Sequence, residues 1–176
     1  IPFVPMDLIP FRKIAFANYV LKKPDELTSG TYFEAGDILL PKITPSFENG
    51  KQGIIPELPN GFGIATTEVI PIKQIDGVSN AHFLFYYLLK EDVRVALAAK
   101  MEGSTGRQRL SKSVVEDLMI PFPPLPEQRT IARVLSTLQR AVDAQDKLIA
   151  AARELKRALM RHLFTYGAVP PAEAER

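Results

Sequence analysis

Apolar residues form short, separate runs through the first two thirds of the chain. The run Ile38-Leu39-Leu40 follows Gly36-Asp37 and precedes a polar stretch over 42–53 that is rich in Gly, Pro and Asn. This order predicts a short strand followed by an exposed loop. The apolar positions over 64–72 suit a buried strand, and Pro71 predicts that this strand lies at a sheet edge, because proline has no N–H for a ladder hydrogen bond.

A different period begins at Asn80, where large apolar side chains recur at helical spacing. The pattern predicts a helix over Asn80–Lys100 with a break near Lys90. Further on, Ser113 is followed three residues later by Glu116, which is the spacing of a capping box. A short helix over Val114–Leu118 is therefore expected.

A cluster of prolines separates this region from a long amphipathic helix. Met119–Phe122 is predicted to be a last short strand, and the prolines after it are expected to form a rigid connector. Pro126 suits the first turn of a helix, and neither Pro nor Gly follows until Gly167. A helix over Glu127–Phe164 would be about 57 Å long, more than a domain of this size needs for its own core.

Apolar residues recur along this helix in alternating steps of four and three, the spacing of a coiled coil. The apolar face is wider than a two-stranded zipper requires, so packing against more than one neighbour is expected. A second copy of the chain or a second spacer helix is the expected partner. The residues predicted to form this interface are Ile131, Leu135, Leu138, Val142, Ile149 and Leu159.

These elements together predict an α+β protein, in which a mixed α/β globular domain precedes one long α-helix that packs as a coiled coil. The predicted domains are a globular domain over residues 1–125, a helical spacer over 126–166 and a flexible tail over 167–176.

The composition is that of an ordinary globular protein, with 46% hydrophobic and 24% charged residues. No stretch of eighteen apolar residues occurs, so no transmembrane helix is predicted. The absence of cysteine excludes disulfides and thiolate metal sites, and a reducing cytoplasm is the expected compartment.

Motifs for catalysis or cofactor binding are missing. The sequence has no Gly-x-Gly-x-x-Gly loop and no Walker-type loop, so neither ATP nor S-adenosylmethionine binding is predicted. The tripeptide Glu154-Leu155-Lys156 lies in the long helix without an acidic partner and is interpreted as a solvated helix face. His82 and His162 stand alone, which argues against a metal site. We therefore expect no catalytic residue, no metal and no cofactor.

The charge is nearly balanced, with 22 Lys and Arg against 20 Asp and Glu. Between Lys100 and Lys112, however, four cations face only Glu102. A focused contact with phosphates or bases is expected there, and an ordinary surface loop is the alternative.

Three segments, taken in order, resemble the DNA-specificity subunits of Type I restriction-modification systems. They are Gly36-Asp37-Ile38-Leu39 followed by a polar loop, Gly103–Leu110, and Ile120–Gln128 followed by the helix. The resemblance implies one target recognition domain with one helical spacer, half of a full-length subunit. It also implies that the chain reads double-stranded DNA, while separate modification (methyltransferase) and restriction subunits hold the methyl donor, ATP and catalytic residues.

The opening of the recognition domain is shorter than in that family. Three alternatives stay open: a fragment, a natural half-subunit that dimerises, or the C-terminal part of a methyltransferase fused to its recognition domain. A protein-interaction adaptor without a DNA role is the rival from another class, and an enzyme has no support in the residues.

Base reading requires arginine, glutamine and asparagine side chains on exposed loops, and the two polar loops offer these. Arg107 and Arg109 are expected at guanine edges or phosphates. Gln108, with Gln52 or Asn49, is expected at adenine, whereas lysines are expected at phosphates. The full set of predicted DNA-binding residues is Lys42, Thr44, Asn49, Lys51, Gln52, Ser104, Thr105, Arg107, Gln108, Arg109 and Lys112.

Overall fold

The computed structural model describes residues 1–168. Most of the predicted tail, residues 169–176, lies outside the described residues. The chain divides into two compact units, one over Ile1–Ser136 and one that begins at Thr137. The first unit is an α+β domain, which confirms the predicted fold class.

The first sheet of this domain has four strands in the order β2-β1-β6-β3. β1 runs antiparallel to β2 and parallel to β6, and β3 runs antiparallel to β6. Two 3-10 helices, over Met6–Leu8 and Pro24–Glu26, lie in the connections. The strands are β1 (Pro2–Val4), β2 (Val20–Leu21), β3 (Thr31–Glu34) and β6 (Phe62–Ala65).

The second sheet has three antiparallel strands in the order β5-β4-β7. β4 (Ile38–Pro41) is central and buried along its whole length, which confirms the predicted strand. β5 covers Gly53–Ile54 and β7 covers Val69–Ile72. Because β7 pairs only with β4, Pro71 lies in an edge strand, as predicted.

The prediction of one strand over 64–72 is wrong. The structure has two strands there, β6 and β7, which belong to different sheets and are separated by the turn Thr66-Thr67-Glu68. The Thr66 hydroxyl accepts a hydrogen bond from the Glu68 amide at 3.4 Å. Such a local side-chain contact competes with the strand ladder. Because apolar residues continue on both sides of the turn, the sequence pattern gave no indication that the strand ends there.

Helices α1 (Ala81–Leu89) and α2 (Glu91–Ala98) confirm the predicted helical region and its break at Lys90. α1 begins at a true cap, because the Asn80 side chain accepts from the Phe83 amide at 3.0 Å.

The next helix, α3, covers Lys112–Glu116 and begins earlier than predicted. Its cap is Ser111, whose hydroxyl accepts from the Val114 amide at 3.3 Å, so the predicted cap at Ser113 is wrong. The following segment, Met119–Phe122, is not a strand either. Pro121 lacks a donor and the Met119 side chain is 89% exposed, so neither pairing nor burial would stabilise a strand.

Helix α4 covers Leu125–Tyr166 and confirms the predicted long helix, with two more residues at each end. Among residues 1–168, no helix combines the length and apolarity that crossing a membrane requires.

Two apolar clusters meet at β4, because successive side chains of a strand point to opposite faces. Ile38 and Leu40 face the larger cluster, which includes Phe85 of α1, Leu97 of α2 and Ala132 of α4. Leu39 faces the smaller cluster, which packs against the first sheet.

Candidate nucleic-acid interface

The loop that joins β4 to β5, residues 42–52, follows the buried strand directly. Asn49 is exposed, whereas Lys42 and Thr44 are half-buried. The Thr44 hydroxyl donates to the carboxylate of Glu48 at 2.7 Å. This loop therefore presents the Asn49 amide and the Lys42 ammonium, and it uses Thr44 partly to order itself.

The loop over 102–110 lies directly beside loop 42–52, although the two are far apart in the sequence. The Thr44 amide donates to the Gln108 carbonyl at 3.1 Å, and the Leu110 amide donates to the Lys42 carbonyl at 2.7 Å. Ile43 and Arg109 form an antiparallel bridge between the same segments. The two predicted DNA-binding segments thus form one continuous surface.

The tip of loop 102–110 is a tight turn that only glycine fits. Gly103 has φ +128°, and a Cβ there would lie 2.7 Å from the Arg107 carbonyl oxygen. The Arg107 amide closes the turn by donating to the Ser104 carbonyl at 2.8 Å. Ser104, Thr105 and Arg107 are exposed. In the part of the chain that the structure describes, the Arg107 guanidinium has no carboxylate at ion-pair distance.

Arg109, in contrast, is held by a carboxylate. Its Nε and Nη2 donate to the two oxygens of Glu68 at 3.1 and 2.9 Å. The hydrogen bond from Arg109 holds the pKa of the Glu68 carboxyl below its ordinary value. Sequence reasoning missed Glu68, because it assigned the turn over 66–68 to the middle of a strand.

Gln52 does not face solvent, so its predicted role at a base is corrected. It is fully buried; its Nε2 donates to the Phe85 carbonyl at 2.7 Å, and its Oε1 accepts from Arg94. The Arg94 guanidinium also donates to the carbonyls of Leu88 and Phe47. Gln52 is therefore part of the core that fixes the loop.

Arg94 is the centre of this buried network. Its guanidinium carbon lies 4.6 Å from the centroid of the Phe47 ring, and burial lowers its pKa to about 10, so it stays charged at neutral pH. Sequence reasoning missed it. The available signal was its helical position, since Arg94 lies three residues before Leu97 on the apolar face of α2.

Lys112 lies in the first turn of α3, just beyond loop 102–110. Its ammonium is 3.0 Å from the Glu116 carboxylate, and both side chains are largely exposed. Exposed pairs of this kind are weak, so the ammonium remains able to exchange partners. The structure leaves Lys112 accessible.

A further segment, residues 10–16, lies along the end of loop 42–52. Lys51, predicted at a phosphate, donates to the Met6 carbonyl at 2.8 Å and lies 5.0 Å from the Phe11 ring centroid. Arg12 and Lys13 in this segment are exposed, and sequence reasoning did not single them out. Their signal was a pair of adjacent cations in a stretch without helical or strand periodicity.

A cleft of about 480 Å³ lies at the opposite end of β4, where Gly36-Asp37 precedes the strand. The Asp37 carboxylate accepts from the Glu34 amide at 2.8 Å and so closes the turn between β3 and β4. Burial raises the pKa of Asp37. This sequence motif thus has a structural explanation.

Gln128, the last residue of the Ile120–Gln128 motif, is fully buried in the first turns of α4. Its Oε1 accepts from the Asn80 amide at 3.0 Å. Its Nε2 donates to the carbonyls of Val78 and Pro123 at 3.1 and 2.8 Å. One side chain therefore ties together the start of α1, the proline connector and α4.

Ile131 is half-buried and packs against the larger apolar cluster, and its predicted place in a helix–helix interface stays a prediction. Leu135, one turn further, is half-buried. In the second unit, described by itself, Leu138, Val142, Ile149 and Leu159 are each about half exposed. Their role in an interface stays a prediction.

Among residues 1–168, no three His, Asp or Glu side chains converge on a point where a metal could bind. His82 lies in the cleft beside β4, and partial burial lowers its pKa. The described residues therefore offer cations and amides for contact, rather than a ligand set for an ion.

Comparison with known proteins identifies relatives. Residues 8–153 match the family described as the Type I restriction modification DNA specificity domain. The specificity subunit of the Type I restriction enzyme EcoAI from Escherichia coli is 36% identical over 132 residues, 74% of this chain and 22% of the relative. The EcoEI specificity subunit from the same species is 36% identical over 149 residues, 84% of this chain and 25% of the relative. The chain thus spans about a quarter of these relatives.

Solved structures share the fold. The HsdS subunit from Thermoanaerobacter tengcongensis superposes with a TM-score of 0.66 at 24% identity, over 97% of this chain and 45% of that one. A chain from a structure that describes complex assembly and conformational transition of the type I R-M system gives 0.69 at 20% identity, over 97% and 43%. At these identities the likeness shows the fold alone.

Proposed function

The chain belongs to the Type I restriction modification DNA specificity domain family, and on that premise we propose that it recognises a DNA sequence for an enzyme complex of this type. In this role the chain reads DNA and does not itself catalyse a reaction. Modification and restriction subunits bring the chemistry, and the chain requires no cofactor of its own.

The juxtaposition of loops 42–52 and 102–110 carries this proposal. Exposed polar side chains from both loops lie on one surface, and the backbone hydrogen bonds between the loops fix their spacing. DNA recognition requires donors that are held in register with base edges and phosphates. A solubilising surface loop would need no such cross-link to a second loop.

The side chains of loop 102–110 differ in whether other residues of the chain already bind them. Arg107 is unpaired by any carboxylate in the described region, so its guanidinium is free to form a bidentate contact with guanine or phosphate. Gln108 is half-buried and presents an amide that suits adenine. Arg109 has to leave Glu68 or share it, which orients the guanidinium before DNA arrives.

Binding to duplex DNA by the chain assembled with a methyltransferase subunit tests the proposal, once the methylated sequence in host DNA has identified the target. Replacing Arg107 by Ala should weaken target binding by about 1–3 kcal/mol and scrambled DNA much less, if Arg107 reads a base. Replacing Lys112 by Ala should weaken both equally and reduce the salt slope by about one unit.

Lys23→Ala is the matched control, because Lys23 is exposed just after β2 of the first sheet and, among the described residues, makes no hydrogen bond or ion pair with either loop. Wild-type complex that binds no DNA at low salt would overturn the proposal and favour the adaptor without a DNA role. If Arg107, Arg109 and Lys112 can all be replaced by Ala without a change in DNA affinity, this surface is not the DNA-binding site.

We also propose that the exposed apolar face of α4 in the second unit packs against another helix, from a second copy or a second spacer. Leaving Leu138, Val142 and Ile149 in water forgoes roughly 1.5–3 kcal/mol for each side chain that could be fully buried. The double variant Leu138→Glu with Val142→Glu should abolish association in light scattering. Ala144→Glu with Lys147→Glu, on the opposite face, is the control, and equal masses for the two variants would refute the interface.

A further inference from the structure

The segment over residues 10–16 is fastened to loop 42–52 and to β5 along its whole length. The Arg12 amide donates to the Gly50 carbonyl at 3.1 Å, and the Gln52 amide donates to the Pro10 carbonyl at 3.1 Å. Further on, Ile54 and Ile14 are joined in the same way at 2.9 Å. The loop is therefore hydrogen-bonded to loop 102–110 at its start and to this segment at its end.

Arg12 is held in a backbone conformation that arginine seldom adopts. Its φ is +51°, and it is the only residue other than glycine with positive φ among those that the structure describes. Such a conformation is unfavourable for a side chain with a Cβ and persists where the surroundings fix it, often at functional sites. A solubilising arginine would gain nothing from this geometry.

Gly50 makes the position of the Arg12 side chain possible. A Cβ on Gly50 would lie 3.0 Å from Nε and 3.2 Å from Cγ of Arg12, and Gly50 itself has φ +82°. The arginine stem thus lies flat against the loop backbone, and this contact limits where the guanidinium can go. The cation is placed at the loop surface rather than left to swing in solvent.

Positive charge is in excess around this contact. Residues 10–16 and 42–52 together carry four cations against the single carboxylate of Glu48. In the described residues, neither Arg12 nor Lys13 has a carboxylate at ion-pair distance, and both side chains are exposed. Buried Arg94 lies close enough that the positive charge of Arg12, after burial itself, lowers its pKa. An anion at this surface would relieve that repulsion.

We propose that Arg12 and Lys13 hold a backbone phosphate of the DNA beside loop 42–52, so that the segment over residues 10–16 is a third DNA-contacting element. This inference rests on the proposed function and adds residues to its site. A phosphate is the expected group because two adjacent exposed cations offer charge, which positions a duplex without discriminating its bases.

The test measures the affinity of the assembled complex for a target duplex and for a scrambled duplex, over a series of salt concentrations. Arg12→Gly is the informative variant, because glycine adopts φ near +51° freely and the turn is kept while the side chain is removed. Arg12→Gly and Lys13→Ala should each weaken both duplexes by the same factor, about three- to tenfold at low salt. Each should reduce the slope of log affinity against log salt by about one unit.

Two further variants separate charge from structure. Arg12→Lys keeps the cation and should retain the wild-type salt slope, whereas Lys23→Ala removes an exposed cation elsewhere and should change neither affinity nor slope. Wild-type slopes in both Arg12→Gly and Lys13→Ala would overturn the inference, as would a loss confined to the target duplex. A wild-type complex that binds neither duplex would instead overturn the proposed function, so the two failures are distinguishable.

Discussion

The two loops of the candidate interface carry similar residues and are held in opposite ways. Loop 42–52 is fixed from inside, because buried Arg94 donates to the Phe47 carbonyl and to the Gln52 side chain. Loop 102–110 is fixed at its surface, by backbone bridges and by the exposed pair of Arg109 with Glu68. Loop 42–52 therefore depends on a buried glutamine of its own and on a buried arginine of α2, whereas the glutamine of loop 102–110 is half-buried and its two arginines are exposed.

The difference shows that residue type alone does not distinguish a side chain that stabilises the fold from one that is available to contact a ligand. A glutamine satisfies a buried carbonyl as well as it satisfies adenine, and burial decides between the two. Loop 42–52 is expected to act as a rigid platform, whereas the tip of loop 102–110 has side chains left to contact a ligand. Three substitution experiments can break or sharpen this contrast.

Replacing Arg94 by Met should cause the largest loss of stability. The methionine side chain fills the space of the aliphatic part of the arginine side chain. The carbonyls of Leu88 and Phe47 and the Gln52 side-chain oxygen, however, lose their hydrogen-bond donor. Each buried acceptor left unsatisfied costs about 1–3 kcal/mol, and removing a buried charge offsets part of this, so we expect a loss of about 2–4 kcal/mol in urea unfolding. Arg109→Met, at the exposed pair, should cost less than about 1 kcal/mol. Equal losses for the two variants would erase the contrast.

Replacing the glutamines by leucine should give a smaller but still unequal pair of effects. Gln52→Leu removes the hydrogen bond to the Phe85 carbonyl and leaves Nη2 of Arg94 without its acceptor. We expect the free energy of unfolding to fall by about 2 kcal/mol. Gln108→Leu should change the free energy of unfolding by no more than about 0.5 kcal/mol, since its side chain is half exposed. In DNA binding the order should reverse at a temperature where both variants are folded. A stability loss for Gln108→Leu as large as that for Gln52→Leu would contradict this prediction.

The pair of Arg109 with Glu68 should show the smallest effect and a defined pH dependence. The hydrogen bond from Arg109 lowers the pKa of Glu68 from its ordinary value of 4.5, so the pair stabilises the fold above that pH. The stabilisation is lost as pH falls from about 4.5 through the lowered pKa in the folded state. A double-mutant cycle with Glu68→Gln and Arg109→Gln should give less than about 1 kcal/mol at pH 7, and a smaller coupling at pH 3. A coupling that is constant over this range would show that the pair is not ionic.

Periodicity predicted the long helix and the helical region that breaks at Lys90, because apolar residues recur there at helical spacing. The strand at Ile38 was recognisable for a different reason, since a short apolar run that is buried on both faces is bounded by polar turns. Periodicity failed at the turn over 66–68 and at Met119–Phe122. In the first case a polar tripeptide was too short to interrupt the apolar pattern, and in the second an apolar segment turned out to be exposed.

The candidate site was predictable as two polar loops but not as one surface. That Thr44 and Gln108 would be neighbours depends on the packing of β4 against the segment after α2, and no local pattern records it. The fate of Gln52 depends on Arg94, which lies in a helix far along the chain. Arg12 was not predicted as a site residue. What distinguishes it is its positive φ and its contact with Gly50, and the residue type specifies neither of these.

The position of Gln128 has a consequence for how such chains could be recombined. The proline connector looks like the natural seam at which to exchange one recognition module for another. A cut there would separate Gln128 from its partners at Asn80, Val78 and Pro123, and it would remove Ala132 from the core. A chimera that keeps its module intact should instead be spliced within α4, after Ser136, where the first compact unit ends.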